Sequence, residues 1–140
     1  MYVTMVMENL YIEEDNMIDF NNGAFLKLKK ISNDDVSGQV APLLISGEEI
    51  ISSYKTIRDF VVFTTKRVIA VNVQGITGTK KDFTSLPYSK VQAYSVETSG
   101  TFDLDSELEM YFSALGKVKF EFKGNSDIVK IGQIISEYVL

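Results

Sequence analysis

Between Glu49 and Lys123 the chain is cut into seven short apolar or alternating runs, each bounded by Gly, Pro, Asp or a Thr-Lys pair. β-branched and aromatic residues fill these runs, which read as strands over 49–57, 59–64, 67–74, 79–86, 91–98, 106–113 and 117–123. Strands this short and this closely spaced must pair with their neighbours. The expected fold is therefore mainly β, within the α+β class: a seven-stranded, two-sheet sandwich or partly open barrel. The last pair is the best specified. Leu108, Met110 and Phe112 alternate with Glu107, Glu109 and Tyr111, while Val118, Phe120 and Phe122 alternate with Lys117, Lys119 and Glu121. A turn through Ala114-Leu115-Gly116 predicts Phe112 opposite Val118, Met110 opposite Phe120 and Leu108 opposite Phe122, with Gly116 in the left-handed position. A slip of one residue would turn three large side chains to water.

Helical patterns flank the strands. Ile128, Ile131, Ile135, Tyr138 and Val139 recur every three or four residues, which predicts an amphipathic C-terminal helix over 127–140, capped by Asn125 or Ser126 and plugging one end of the sandwich. Upstream, residues 21–45 read as an N-terminal helical segment. A short helix is expected over 21–31, then a helix start at Ser32-Asn33-Asp34-Asp35 followed by Val36, Val40, Leu43 and Leu44 at helical spacing. Pro42 limits that helix and Ser46-Gly47 ends it. Residues 1–20 carry Glu8, Glu13, Glu14, Asp15 and Asp19 without a Lys or Arg, an acidic arm that accounts for the whole net charge of −5. What remains, 21–140, is expected to be a single domain, in which 14 acidic residues balance 14 basic ones.

Two strands break the alternation. Phe60-Val61-Val62-Phe63 and Val68-Ile69-Ala70-Val71 are apolar at every position, so both of their faces need cover, from a helix, from the arm or from another subunit. Contact with another copy is the expectation tested below. Phe60, Val62, Ile69, Val71, Met110, Phe112, Phe120 and Ile131 are expected to carry the core.

Composition removes several chemistries. With no Cys and no His, the chain has no disulfide, no thiol nucleophile, no Cys/His zinc site and no imidazole acid–base group. A neutral body without a basic stripe argues against nucleic acid. No run of 18 apolar residues is present, and Met1–Met7 lacks the basic flank of a secretory signal, so a cytoplasmic protein is expected. Gly75-Ile76-Thr77-Gly78 lacks the ending of a phosphate-binding loop and reads as a turn between strands. Asp103, Asp105 and Glu107 alternate like ligands for a hard cation but lack the glycine and distant Glu of a calcium loop, so they read as an acidic, partner-facing edge rather than a metal site. No catalytic residue, cofactor or metal is assigned.

Seven strands followed by one amphipathic helix is the order of the pleckstrin-homology (PH) fold. The chain resembles the bacterial PH-like family in particular, through Gly47-Glu48-Glu49-Ile50, Tyr54–Asp59, Val62–Ile69, Gln74–Gly78, Leu86-Pro87-Tyr88 and Phe102–Leu108, over about residues 36–140. That resemblance implies a non-enzymatic scaffold or binding module forming a cyclic homo-oligomer, of which a pentamer is one candidate size, with repeated polar strand-edge sites for an unidentified protein ligand. Arg58, Asp59, Asp103, Asp105 and Glu107 are the expected protein-binding set, and Arg58-Asp59 at its tight turn invites a bidentate ion pair. The alternative is an adaptor for membranes or anionic ligands through Lys66, Arg67, Lys80 and Lys81. Inositol-lipid recognition is disfavoured, because the loop before Phe60 is short and Asp59 dilutes its cations.

Overall fold

A computed structural model describes residues 27–140, so the acidic arm and residues 21–26 lie outside the described residues. The strands are β1 (Lys29–Ile31), β2 (Ile50–Lys55), β3 (Phe60–Thr64), β4 (Arg67–Gln74), β5 (Lys80–Pro87), β6 (Ala93–Glu97), β7 (Ser106–Phe112) and β8 (Gly116–Phe122). The helices are α1 (Ser37–Val40) and α2 (Ile128–Val139). Two antiparallel sheets, ordered β1-β2-β3-β4-β5 and β6-β7-β8, pack face to face without closing into a barrel.

Alternation sorts the side chains into two clusters. Between the sheets lie Tyr54, Val61, Phe63, Val68, Ala70, Met110, Phe120 and Phe122, with Ile128, Ile131 and Ile135 of α2 closing one end. Phe63 meets Phe120 and Tyr54 edge-on, at ring-centroid separations of 5.6 and 5.7 Å. Phe60, Val62, Ile69 and Val71 point the other way, onto a second cluster with Val36 and Val40.

That second cluster corrects the sequence expectation. The outer faces of β3 and β4 are covered by this chain's own 33–43 segment and not by another copy, since Val62, Ile69 and Val71 are fully buried within one molecule. The doubly apolar strands therefore give no ground for invoking an assembly. The covering segment is also not one helix. It breaks into a 3-10 turn (Asn33–Asp35), α1 and a second 3-10 turn (Ala41–Leu43) that contains Pro42, with Ser32 Oγ accepting from the Asp34 N–H at 3.2 Å.

Residues 29–31, expected to be helical, form a strand. Leu28 has its N–H bonded to Glu121 O and its C=O to the Lys123 N–H, both at 2.8 Å, while Lys29–Ile31 pair with β2. In this position Leu28 reaches the space between the sheets, and tertiary partners decide a short pattern that periodicity leaves ambiguous.

In the β7–β8 hairpin the register differs by two residues from the expected one. Phe112 faces Gly116, Met110 faces Val118, Leu108 faces Phe120 and Ser106 faces Phe122. The turn is Ser113–Leu115, and Gly116 keeps its left-handed backbone (φ +89°) as the first residue of β8. A shift of two preserves the buried face, which is why alternation alone did not resolve it. Finally, α2 has Asp127 as its N-cap residue and no side-chain cap from Asn125 or Ser126, and the Ser126 hydroxyl bonds that of Ser106 at 3.0 Å.

Candidate interaction surfaces

The polar residues singled out in the sequence do not converge on one place. Arg58 and Asp59 sit in the β2–β3 turn, closed by the Thr56 N–H donating to Asp59 O at 2.9 Å. They do not pair with each other. Arg58 Nη2 donates to Gly75 O at 2.6 Å, and Asp59 Oδ1 accepts from the Val73 N–H at 2.9 Å. The first bond ties this turn to the β4–β5 turn, where Gly75 and Gly78 supply left-handed backbone (φ +77° and +71°), and the second ties it to the end of β4 just before that turn. The fastened pair of turns presents Ile57 and Ile76, each essentially fully exposed.

Asp103 and Asp105 shape a different loop, between β6 and β7. The Gly100 N–H donates to Asp103 O at 2.6 Å, the Asp105 N–H to Asp103 Oδ1 at 3.0 Å, and the Gly124 N–H to Asp105 Oδ1 at 3.1 Å. These bonds hold out Phe102 and Leu104, 99% and 62% exposed. Beside Leu104 a groove of about 370 Å³ runs to Ile128 and Val129 at the start of α2, rimmed by Thr98, Ser99 and Asn125. Glu107 lies apart, on the outer face of β7, paired with Lys119 at 3.4 Å. Among the described residues, no three carboxylates gather as a metal site would require.

The four cations of the alternative reading are also dispersed. Arg67 faces Pro87 at one end of the β4–β5 ladder and Lys80 faces Gln74 at the other, about 20 Å away. Lys66 Nζ reaches the Tyr138 hydroxyl at 3.4 Å, Lys81 Nζ donates to Gly78 O at 3.1 Å, and Lys80 is also engaged.

Arg67 belongs to an interior knot that sequence reading missed. Its Nε and Nη2 hold Glu48 bidentately at 2.9 and 3.0 Å, and its Nη1 reaches Ser85 Oγ at 3.0 Å. Its guanidinium also donates to Leu43 O at 2.5 Å, so the knot anchors the segment that covers β3 and β4. Glu48 accepts further from the Thr64 hydroxyl (2.6 Å) and the Ile45 N–H (3.1 Å). Burial pushes the Glu48 pKa up, but the hydrogen bonds from Arg67, Thr64 and Ile45, together with the Arg67 charge, outweigh it and leave the pKa below the ordinary Glu value. Glu48 and Arg67 are 19 residues apart, and no spacing rule links them; an arginine opening an otherwise apolar strand was the available signal.

Comparison with known proteins places this architecture. A family model described as the bacterial PH domain matches residues 19–139, nearly the whole chain. The chain belongs to the bacterial PH domain family. Within it, the chain is 40% identical over 119 residues to the uncharacterised protein YjqA of Bacillus subtilis (strain 168), covering 84% of this chain and 95% of that protein. Among solved structures, a DUF1696 family protein with a pleckstrin-homology domain from Shewanella loihica PV-4 superposes with a TM-score of 0.66 at 34% identity, covering 82% of this chain and 99% of that one. A pleckstrin homology domain from Shewanella amazonensis SB2B gives a TM-score of 0.55 at 34% identity, covering 87% and 99%. No helix among the described residues is long and apolar enough to cross a membrane.

Proposed function

We propose that this bacterial PH domain is a non-catalytic protein-interaction module whose copies join head to tail in a cyclic ring and leave polar strand edges for a protein ligand. One observation carries the reading: the molecule holds two different exposed apolar features, each fixed in shape by internal polar bonds. Ile57 and Ile76 project from turns fastened by Arg58 and Asp59. Leu104 and Val129 line a groove beside a loop fastened by Asp103 and Asp105. A heterologous contact, in which one face of a subunit meets a different face of the next, needs two such unlike patches and closes into a ring when its rotation allows. Repetition around the ring then raises the effective concentration of weak ligand sites.

Sedimentation velocity on the full chain tests this. A species several protomers in mass is expected, shifting toward monomer in Ile57→Asp/Ile76→Asp with thermal stability unchanged. A monomer at every accessible concentration overturns the ring.

A further inference from the structure

At the β1 edge of the five-stranded sheet, Leu28, the residue before β1, makes one isolated parallel bridge to β8, and the chain then parts from it. Leu28 pairs with Phe122, but β8 ends there and Gly124 (φ +73°) turns the chain away. The ladder started by Leu28 is not continued by Lys30. A strand points the N–H and C=O of residues i and i+2 to the same side, so the Lys30 main chain faces the gap into which those of Leu28 bond. That gap is a groove of about 480 Å³ lined by Lys29, Lys30, Ile31, Lys123 and Asn125.

Charge at this edge is one-sided. Lys29 stands directly opposite Lys55 across the β1–β2 ladder, a like-charge pair that costs stability unless an anion lies nearby. Lys30 is paired with Asp127 at 3.0 Å. Among the described residues, no carboxylate pairs with Lys29, Lys55 or Lys123. Among the described residues, the edge therefore combines an open main-chain ladder with ammonium groups that no carboxylate pairs.

We propose that this groove binds an extended acidic peptide segment of a partner protein, added as a strand beside β1, with its carboxylates on Lys29 and Lys123. The inference deepens the protein-binding reading above and rests on it. Main-chain bonds to Lys30 give such a segment its direction, and the lysines select for carboxylates. A compact phosphate or a membrane surface would use the charge alone and leave the strand edge idle.

Labelled hexaglutamate is the probe, followed by fluorescence anisotropy on the full chain at low ionic strength. Binding is expected and should weaken steeply as salt rises to about 150 mM. Lys29→Glu/Lys123→Glu should weaken it at least tenfold, Lys29→Arg/Lys123→Arg should retain it, and Lys90→Glu/Lys117→Glu, with the same charge change elsewhere, should leave it unaltered. Hexaglutamate N-methylated at alternate residues keeps the charge but lacks the donors, and should bind about tenfold more weakly. This comparison needs no variant to fold. Repeating the titration on Glu13→Gln/Glu14→Gln/Asp15→Asn keeps the chain's own carboxylates from hiding the site. No binding in either background, or indifference to Lys29 and Lys123, overturns the proposal. Equal binding of the N-methylated peptide, or tighter lysine-dependent binding to phosphatidylglycerol vesicles, overturns it in favour of a plain anion or membrane surface. A ring that persists while peptide binding fails defeats the groove alone, whereas a monomer that binds the peptide defeats only the ring.

Discussion

At the scale of single residues, polar side chains act here mainly as fasteners. Glu48 is the clearest case, because its carboxylate is buried and receives bonds from Arg67, Thr64 and the Ile45 N–H. Removing Arg67 leaves that charge without its counter-ion, and Arg67→Ala is expected to cost about 3 kcal/mol in urea unfolding. The pH dependence has a definite sign. Since folding lowers the Glu48 pKa, its contribution is present above the ordinary Glu range and is lost as pH falls through the folded value. Thermal midpoints should therefore stay level at neutral pH and drop in acid, and Glu48→Gln should flatten part of that drop. Tyr88 shows the opposite shift: burial pushes its phenol pKa up, while its hydroxyl donates to Thr64 O at 2.8 Å. Tyr88→Phe should cost about 1 kcal/mol by equilibrium unfolding, the net worth of one buried hydrogen bond.

At the scale of elements, α2 and the 33–43 segment do the same job on different faces of the fold. Ile131 is 1% exposed within the main core, and Ile131→Ala is expected to cost about 3 kcal/mol through lost burial and the cavity left behind. Val40, fully buried over the outer face of β3 and β4, should cost about 2 kcal/mol when replaced by Ala, read as a shift in urea midpoint. Were that face covered by another copy, Val40→Ala would leave the dilute chain almost unchanged. The strands were legible because β-branched runs and turn residues are local signals, and α2 because its successive turns share one apolar stripe. The β1 strand was not, since its three residues take their conformation from β2, and Leu28 before them from Glu121 and Lys123, rather than from each other. The helix expected over 32–45 is instead three short helical pieces, the last of them a 3-10 turn that contains Pro42.

At the scale of the whole molecule, β3 and β4 belong to both clusters, with Val61 and Phe63 facing one and Phe60 and Val62 facing the other. Neither face can open without exposing the same two strands. Unfolding should therefore be a single transition, with far-UV circular dichroism and tyrosine fluorescence coinciding. Ile131→Ala and Val40→Ala touch different clusters, so their costs should add to within about 0.5 kcal/mol. Separate transitions would mean that the 33–43 cover peels off on its own.

Periodicity and turn residues determined the fold class, the C-terminal helix and the buried positions from Phe60 to Ile131, because each depends on neighbours along the chain, and the absence of Cys and His by itself excluded thiol and imidazole chemistry. Only tertiary structure decided what covers β3 and β4, that Arg58 and Asp59 fasten turns instead of pairing, that Arg67 is tied up with Glu48, and that Lys29, Lys55 and Lys123 share one edge. These pairings join residues up to about a hundred positions apart. Coulomb and hydrogen-bond energies depend on distance in space, which strand order and register set and local pattern does not encode.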